Sequence, residues 1–106
     1  ILHAYDVHIE ETHHIHKKDA PSGTALRAGA LIEEVAGKKV TYESKREGEV
    51  IGDHRIRFSG PGETLEIFHH ADTRVPFAAG SLKAAKWLVK QTPGLYTMAD
   101  VLGLNG

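Results

Sequence analysis

The sequence predicts an α+β domain: a mixed, open β-sheet of about four strands with a helix covering one face. Two patterns carry that reading. Short runs alternate apolar and polar residues, the period of a strand with one buried face. After the first of these runs the period lengthens, and apolar residues return every three or four positions, as on one side of a helix.

The elements follow in order. Asp6-Val7-His8-Ile9-Glu10-Glu11 alternates, so a half-buried strand is expected over about residues 6–11, with Val7 and Ile9 toward the core. Residues 12–24 show no apolar periodicity and contain Pro21 and Gly23, the composition of a loop. A helix is expected over about residues 24–36, with Ala28, Leu31, Ile32 and Val35 as its buried stripe. Ser22 or Thr24 can cap its first turn and Gly37 ends it. Val40, Tyr42 and Ser44 alternate weakly with Thr41 and Glu43, which suits an edge strand. Arg46 to Gly52 is polar. Two stronger strands then alternate through His54, Ile56 and Phe58 and through Leu65, Ile67 and His69. Gly60-Pro61-Gly62-Glu63 supplies the hairpin turn between them. Pro76 opens a second helix at a position where proline is tolerated, and Ala78, Leu82, Ala85 and Val89 recur along it at helical spacing. It stops before Pro93-Gly94. Thr97-Met98-Ala99-Asp100 resembles a capping box and opens a last short turn through Leu102.

Composition narrows the function. The chain has 106 residues, the size of one domain, with 41% hydrophobic and 25% charged residues, which are ordinary globular values. No cysteine is present, so disulfides and thiolate metal sites are excluded and a reducing, cytoplasmic location is expected. No apolar run approaches the ~20 residues of a membrane span. A net charge of -1 argues against non-specific nucleic-acid binding. The unusual number is histidine, at 8, which points to acid–base work, anion binding or metal binding. The chain opens on Ile1-Leu2-His3 without an initiator methionine and reads as a piece of a longer protein.

The informative stretch is His13-His14-Ile15-His16-Lys17-Lys18-Asp19-Ala20-Pro21-Ser22-Gly23-Thr24-Ala25. Imidazoles and ammonium groups crowd its first half, and a glycine at a helix start closes the second. The first backbone N–H groups of a helix lack intrahelical acceptors and carry the positive end of its dipole, so they attract anions. Gly23 lets a ligand approach the backbone closely, Thr24 adds a hydroxyl and Lys17 adds a full charge. Together these residues suit a carboxylate or phosphate, with an imidazole nearby that titrates near neutral pH and can pass a proton.

The same stretch, begun at Glu11, resembles the signature of the dihydrodipicolinate reductase family: Glu, any residue, His-His, two variable residues, Lys, one variable residue, then Asp-Ala-Pro-Ser-Gly-Thr-Ala. The likeness continues through Arg46 to His54, Leu65 to His69, Arg74, Phe77-Ala78, Pro93 to Met98 and Val101-Leu102. It spans nearly the whole chain but only the second half of the family's protein. The resemblance implies reduction of a cyclic imine derived from 4-hydroxy-tetrahydrodipicolinate with NADH or NADPH, on the route to diaminopimelate and lysine. By match, His13 is the general acid and Lys17 its catalytic partner, while His14, Gly23 and Thr24 bind the substrate carboxylates. The family's second domain also builds a homotetramer through its sheets, so the open sheet face is expected to meet other copies. Its first domain, a Rossmann unit, holds the nucleotide. No Gly-x-Gly-x-x-Gly occurs here, so no cofactor-binding residue is expected in this chain. Residues 1–75 then form the substrate-binding and tetramerisation domain, and residues 76–106 a helix and tail returning toward the nucleotide domain.

Other residues have plainer expectations. His16 falls on a variable position. His54 is expected to be structural. His69 and His70 alternate on a strand, so at most one of them faces the site. Arg74 and Phe77 suit hinge packing, and Trp87 suits packing within an apolar helix. A zinc site from His13, His14 and His16 is disfavoured, because adjacent residues of a strand point to opposite faces; no metal is expected. The competing class is a non-enzymatic oligomerisation module with an incidental anion pocket.

Overall fold

A computed structural model describes residues 4–104. The chain divides into two compact units, Ile1–Asp72 and Thr73–Gly106.

The first unit holds strand β1 (Asp6–His13), helix α1 (Gly23–Ala36) and strands β2 (Thr41–Arg46), β3 (Gly52–Gly60) and β4 (Glu63–Ala71). The sheet order is β2-β1-β3-β4. β1 and β2 run parallel, whereas β1–β3 and β3–β4 are antiparallel, so the sheet is mixed as expected. A parallel pair needs a crossover, and α1 is that crossover, packed on one face. Register then decides who meets whom. Val7 pairs with Phe58, and Ile9 pairs with Ile56 on one side and Tyr42 on the other. These side chains share the helix-facing side, where Val7, Ile9, Ala25 and Val40 form the buried core with Ala28, Ile32, Tyr42, Ile56 and Phe58 against it.

Ala28 and Ile32 of the expected stripe do pack against the core, but the other two residues do not. Leu31 and Val35 are 48% and 74% exposed, while Ala25, Gly29 and Ala36 are the buried positions. The cause is close approach to β2. A Cβ on Gly29 would stand 1.8 Å from the Tyr42 hydroxyl, so only glycine admits the tyrosine beneath the helix. Small residues therefore face the sheet, and the bulkier Leu31 and Val35 are turned outward. Ser22, not Thr24, is the N-cap, and Gly37 closes the helix in the left-handed conformation (φ 69°).

The opposite sheet face, away from α1, is laced by charge. Lys45 meets Glu10 at 3.1 Å, Arg57 meets Glu66 at 2.7 Å, and the Arg55 guanidinium lies 4.7 Å from the Phe68 ring centre.

The second unit contains α2 (Val75–Leu88) and α3 (Met98–Val101). Pro76 lies in the first turn of α2, and the Thr97–Asp100 capping box opens α3, both as the sequence indicates. Trp87 packs edge-on against Tyr96, with ring centres 5.0 Å apart. Among the described residues no helix is long and apolar enough to cross a membrane.

Candidate active site

β1 runs two residues beyond the expected strand, and that extension builds the site. Residues 7, 9, 11 and 13 share one face, so the apolar row of Val7 and Ile9 continues into Glu11 and His13. Glu11 is 1% exposed. A buried carboxylate is costly unless it is paired. Here Arg46, at the end of β2, forms an ion pair with it. Its guanidinium also donates to the backbone carbonyls of Lys17 (3.2 Å from Nε), Asp19 and Lys45. One side chain thus neutralises Glu11 and pins the loop that carries Lys17.

The other oxygen of Glu11, Oε2, lies 2.9 Å from His13 Nδ1. The contact is short but bent away from hydrogen-bond geometry, and neither atom has another hydrogen-bonding partner among the described residues. Across the ladder from His13 stands Gly52; a Cβ there would come within 3.1 Å of His13 Nε2. His54 packs edge-on against His13 at 5.1 Å, and its Nε2 lies 3.1 Å from the Ser22 hydroxyl. That hydroxyl accepts the Ala25 N–H at 3.2 Å, so the start of α1 is tied to the imidazole pair.

Electrostatics follow from burial. Desolvation pushes the Glu11 carboxyl upward, but the Arg46 hydrogen bond and charge and the nearby Ser22 hydroxyl outweigh it, leaving the group below its ordinary range. Burial pulls His13 below the ordinary imidazole value; Glu11 opposes this, while Lys17 and Arg46 reinforce it. His54 is lowered too, by burial first and then by repulsion from His13. Both imidazoles therefore favour the neutral form near pH 7.

The sequence-predicted residues fall as follows. His13 is at the buried end of β1 and senses the Lys17 charge. Lys17 is held by Asp19, 3.0 Å away. His14 leaves the strand; its Nδ1 is buried without a hydrogen-bonding partner among the described residues, and its ring lies 6.0 Å from that of His16. Gly23 and Thr24 are the exposed first two residues of α1, whose N–H groups have no intrahelical acceptor. His69 is the cross-strand partner of His54, and His70 belongs to the opposite face with Asp53 and Asp72.

Sequence reasoning missed Glu11, Arg46 and Gly52 and undervalued His54. The parity of β1 was the available signal, since it aligns Glu11 and His13 with the core residues Val7 and Ile9. Glu11, His13 and His54 also bring three ligand atoms within 4.8 Å of one another, a set different from the disfavoured His13–His14–His16 group. Arg46 already neutralises Glu11, and Lys17 adds further positive charge, so the surroundings oppose a divalent cation.

The fold and site define an α+β domain in which a buried carboxylate–imidazole cluster is tied to the start of a helix. The family described as dihydrodipicolinate reductase, C-terminus, matches residues 1–102, and the chain belongs to it. A 4-hydroxy-tetrahydrodipicolinate reductase of Anaeromyxobacter dehalogenans (strain 2CP-C) is 42% identical over 123 aligned residues, covering 97% of this chain and 46% of the relative. One from Methanosarcina acetivorans is 45% identical, covering 97% and 45%. A dipicolinate-bound dihydrodipicolinate reductase from Paenisporosarcina sp. TG-14 superposes with a TM-score of 0.71 at 26% identity, over 90% of this chain and 44% of that one. The chain thus spans a little under half the length of these relatives.

Proposed function

We propose that this chain is the substrate-binding and proton-donating part of an NADH- or NADPH-dependent 4-hydroxy-tetrahydrodipicolinate reductase of lysine and diaminopimelate biosynthesis. The observation that carries the reading is the Glu11–His13–His54 cluster tied through Ser22 to the start of α1, within a family that includes a dipicolinate-bound member. A planar ring with two flanking carboxylates needs two anion sites and one acid. The amides of Gly23 and Thr24, with the Thr24 hydroxyl, receive one carboxylate, and His14 and Lys17 serve the other. The 4-hydroxy substrate loses water to give the conjugated imine, and the nicotinamide, bound by a domain outside this sequence, supplies hydride to it. The electron pair displaced by that hydride reaches a ring carbon, and His13 delivers the proton that completes the reduction. Lys17 holds the ligand charge and assists the transfer. The neutral state of free His13 fits this order of events: the approaching dicarboxylate raises its proton affinity, and the acid is loaded as substrate binds.

In the same reading the enzyme is a cytoplasmic homotetramer assembled through the charged open face of the sheet, and the second unit returns toward the nucleotide domain. The site is tested by calorimetric titration of the chain with pyridine-2,6-dicarboxylate and with acetate. Saturable binding of the dicarboxylate alone, lost in Lys17→Ala, is expected. Equal heats for the two anions would overturn the site.

A further inference from the structure

We infer that Glu11 is a positioning residue for His13: with Arg46 as its counter-ion, it holds the imidazole proton on Nδ1 and reserves Nε2 for exchange. The last clause rests on the proposed role of His13; the first does not.

Three observations carry this. Glu11 is 1% exposed, and its Oε2 is 2.9 Å from Nδ1 with no other hydrogen-bonding partner among the described residues. A carboxylate that close to an unprotonated Nδ1 would set two lone pairs against each other, so the N–H tautomer is selected even though the contact is bent. Arg46 forms an ion pair with the other carboxylate oxygen, so a Glu11 charge is available to make that selection. Finally, the imidazole has a built seat. Gly52 leaves the space that Nε2 occupies, since a Cβ there would come within 3.1 Å of it, and the His54 ring closes the side at 5.1 Å. The arrangement places a carboxylate behind the imidazole and leaves its far nitrogen for chemistry, the logic by which acid–base histidines are oriented elsewhere. The lowered carboxyl of Glu11 agrees with it, because a group ionised across the working pH range orients its neighbour throughout.

Glu11 has a competing role, as a mere anchor for Arg46 and the loop that Arg46 pins. The two roles separate in the ring nitrogens. Long-range ¹H–¹⁵N correlation spectra of the unliganded chain above the His13 titration are expected to show His13 with Nδ1 protonated and Nε2 bare. The opposite tautomer in the wild-type protein would overturn the proposal, and this arm needs no variant to fold. Glu11→Gln is expected to mix the tautomers and move the His13 titration to lower pH, with Glu11→Asp intermediate. A folded Glu11→Gln protein with an unchanged tautomer and titration would also overturn it. Joined to a nucleotide-binding domain, Glu11→Gln should lower kcat on the order of 10²-fold with little change in KM, the scale of a misplaced catalytic group. An inactive His13→Gln beside a wild-type Nε2–H tautomer would spare the general-acid reading and sink only the Glu11 assignment. A fully active His13→Gln would do the reverse.

Discussion

Two carboxylate–imidazole pairs occupy opposite faces of one sheet. Glu11–His13 lies under the helix, with side chains 1% and 12% exposed. Asp53–His70 lies on the face opposite α1, with side chains 26% and 48% exposed and Asp72 against the second ring nitrogen. Each imidazole has a carboxylate partner, yet the outcomes are opposite. Burial drags His13 below the ordinary imidazole value despite Glu11. His70, whose hydrogen bonds to Asp53 and Asp72 meet little desolvation, is raised. A carboxylate partner alone therefore does not make a charged histidine. Depth is the largest cause of the difference, and the Lys17 and Arg46 charges near His13 add to it.

The largest expected difference between the pairs is catalytic. In a reductase carrying this chain with a nucleotide-binding domain, His13→Gln should reduce kcat by about 10²–10⁴-fold, the span for one general acid. His70→Gln should leave both kinetic parameters unchanged. His14→Ala, assigned to ground-state carboxylate binding, should raise KM more than it lowers kcat. Steady-state kinetics across the three variants checks the assignment, and equal kcat losses from His13→Gln and His14→Ala would place the acid on the wrong imidazole.

Stability sharpens the comparison next. Gly29→Ala drives a methyl into the Tyr42 hydroxyl, and overpacking of this kind costs about 1–3 kcal/mol. Denaturant titration should register that loss. Gly52→Ala makes a looser contact, with His13 Nε2 at 3.1 Å, and should be felt more in turnover than in unfolding.

The smallest effect is the pH dependence of folding. His13 and His54 bind protons less readily when folded, so the unfolded chain holds more protons as pH falls below the ordinary imidazole value of 6.5, and stability declines there. Glu11 is lowered from 4.5, so its contribution is present above that pH and is lost as pH falls through its folded value. His70 is raised and acts oppositely, adding stability below 6.5 that fades as pH climbs through its folded value. Thermal melts from pH 7 to 4 should therefore flatten in His54→Gln and steepen in His70→Gln.

Much of this was legible in residue order. Alternation located β1, β3 and β4, the Gly60–Glu63 turn set the hairpin, and Ser22 and Gly37 bounded α1. The weak alternation at Val40–Ser44 did mark an edge strand, but its parallel pairing with β1 depends on the crossover and not on local pattern. The outward turn of Leu31 and Val35 was not legible, because it follows from Tyr42 entering beneath Gly29, a contact between elements. The signature nominated His13, Lys17, Gly23 and Thr24, whereas the contacts of Arg46 and Gly52 arise only once β2 and β3 flank β1. Glu11 sat in plain view in the signature. Its importance lies in being buried beside Arg46, a contact between elements that forms once β2 pairs with β1.

The most direct test of the central claim is the number of protons exchanged when pyridine-2,6-dicarboxylate binds. Calorimetry near pH 7 in buffers of different ionisation enthalpy measures it. A neutral His13 that becomes the loaded acid predicts net proton uptake, abolished in His13→Gln and retained in His70→Gln. Binding without uptake, or uptake that survives His13→Gln, would contradict the account.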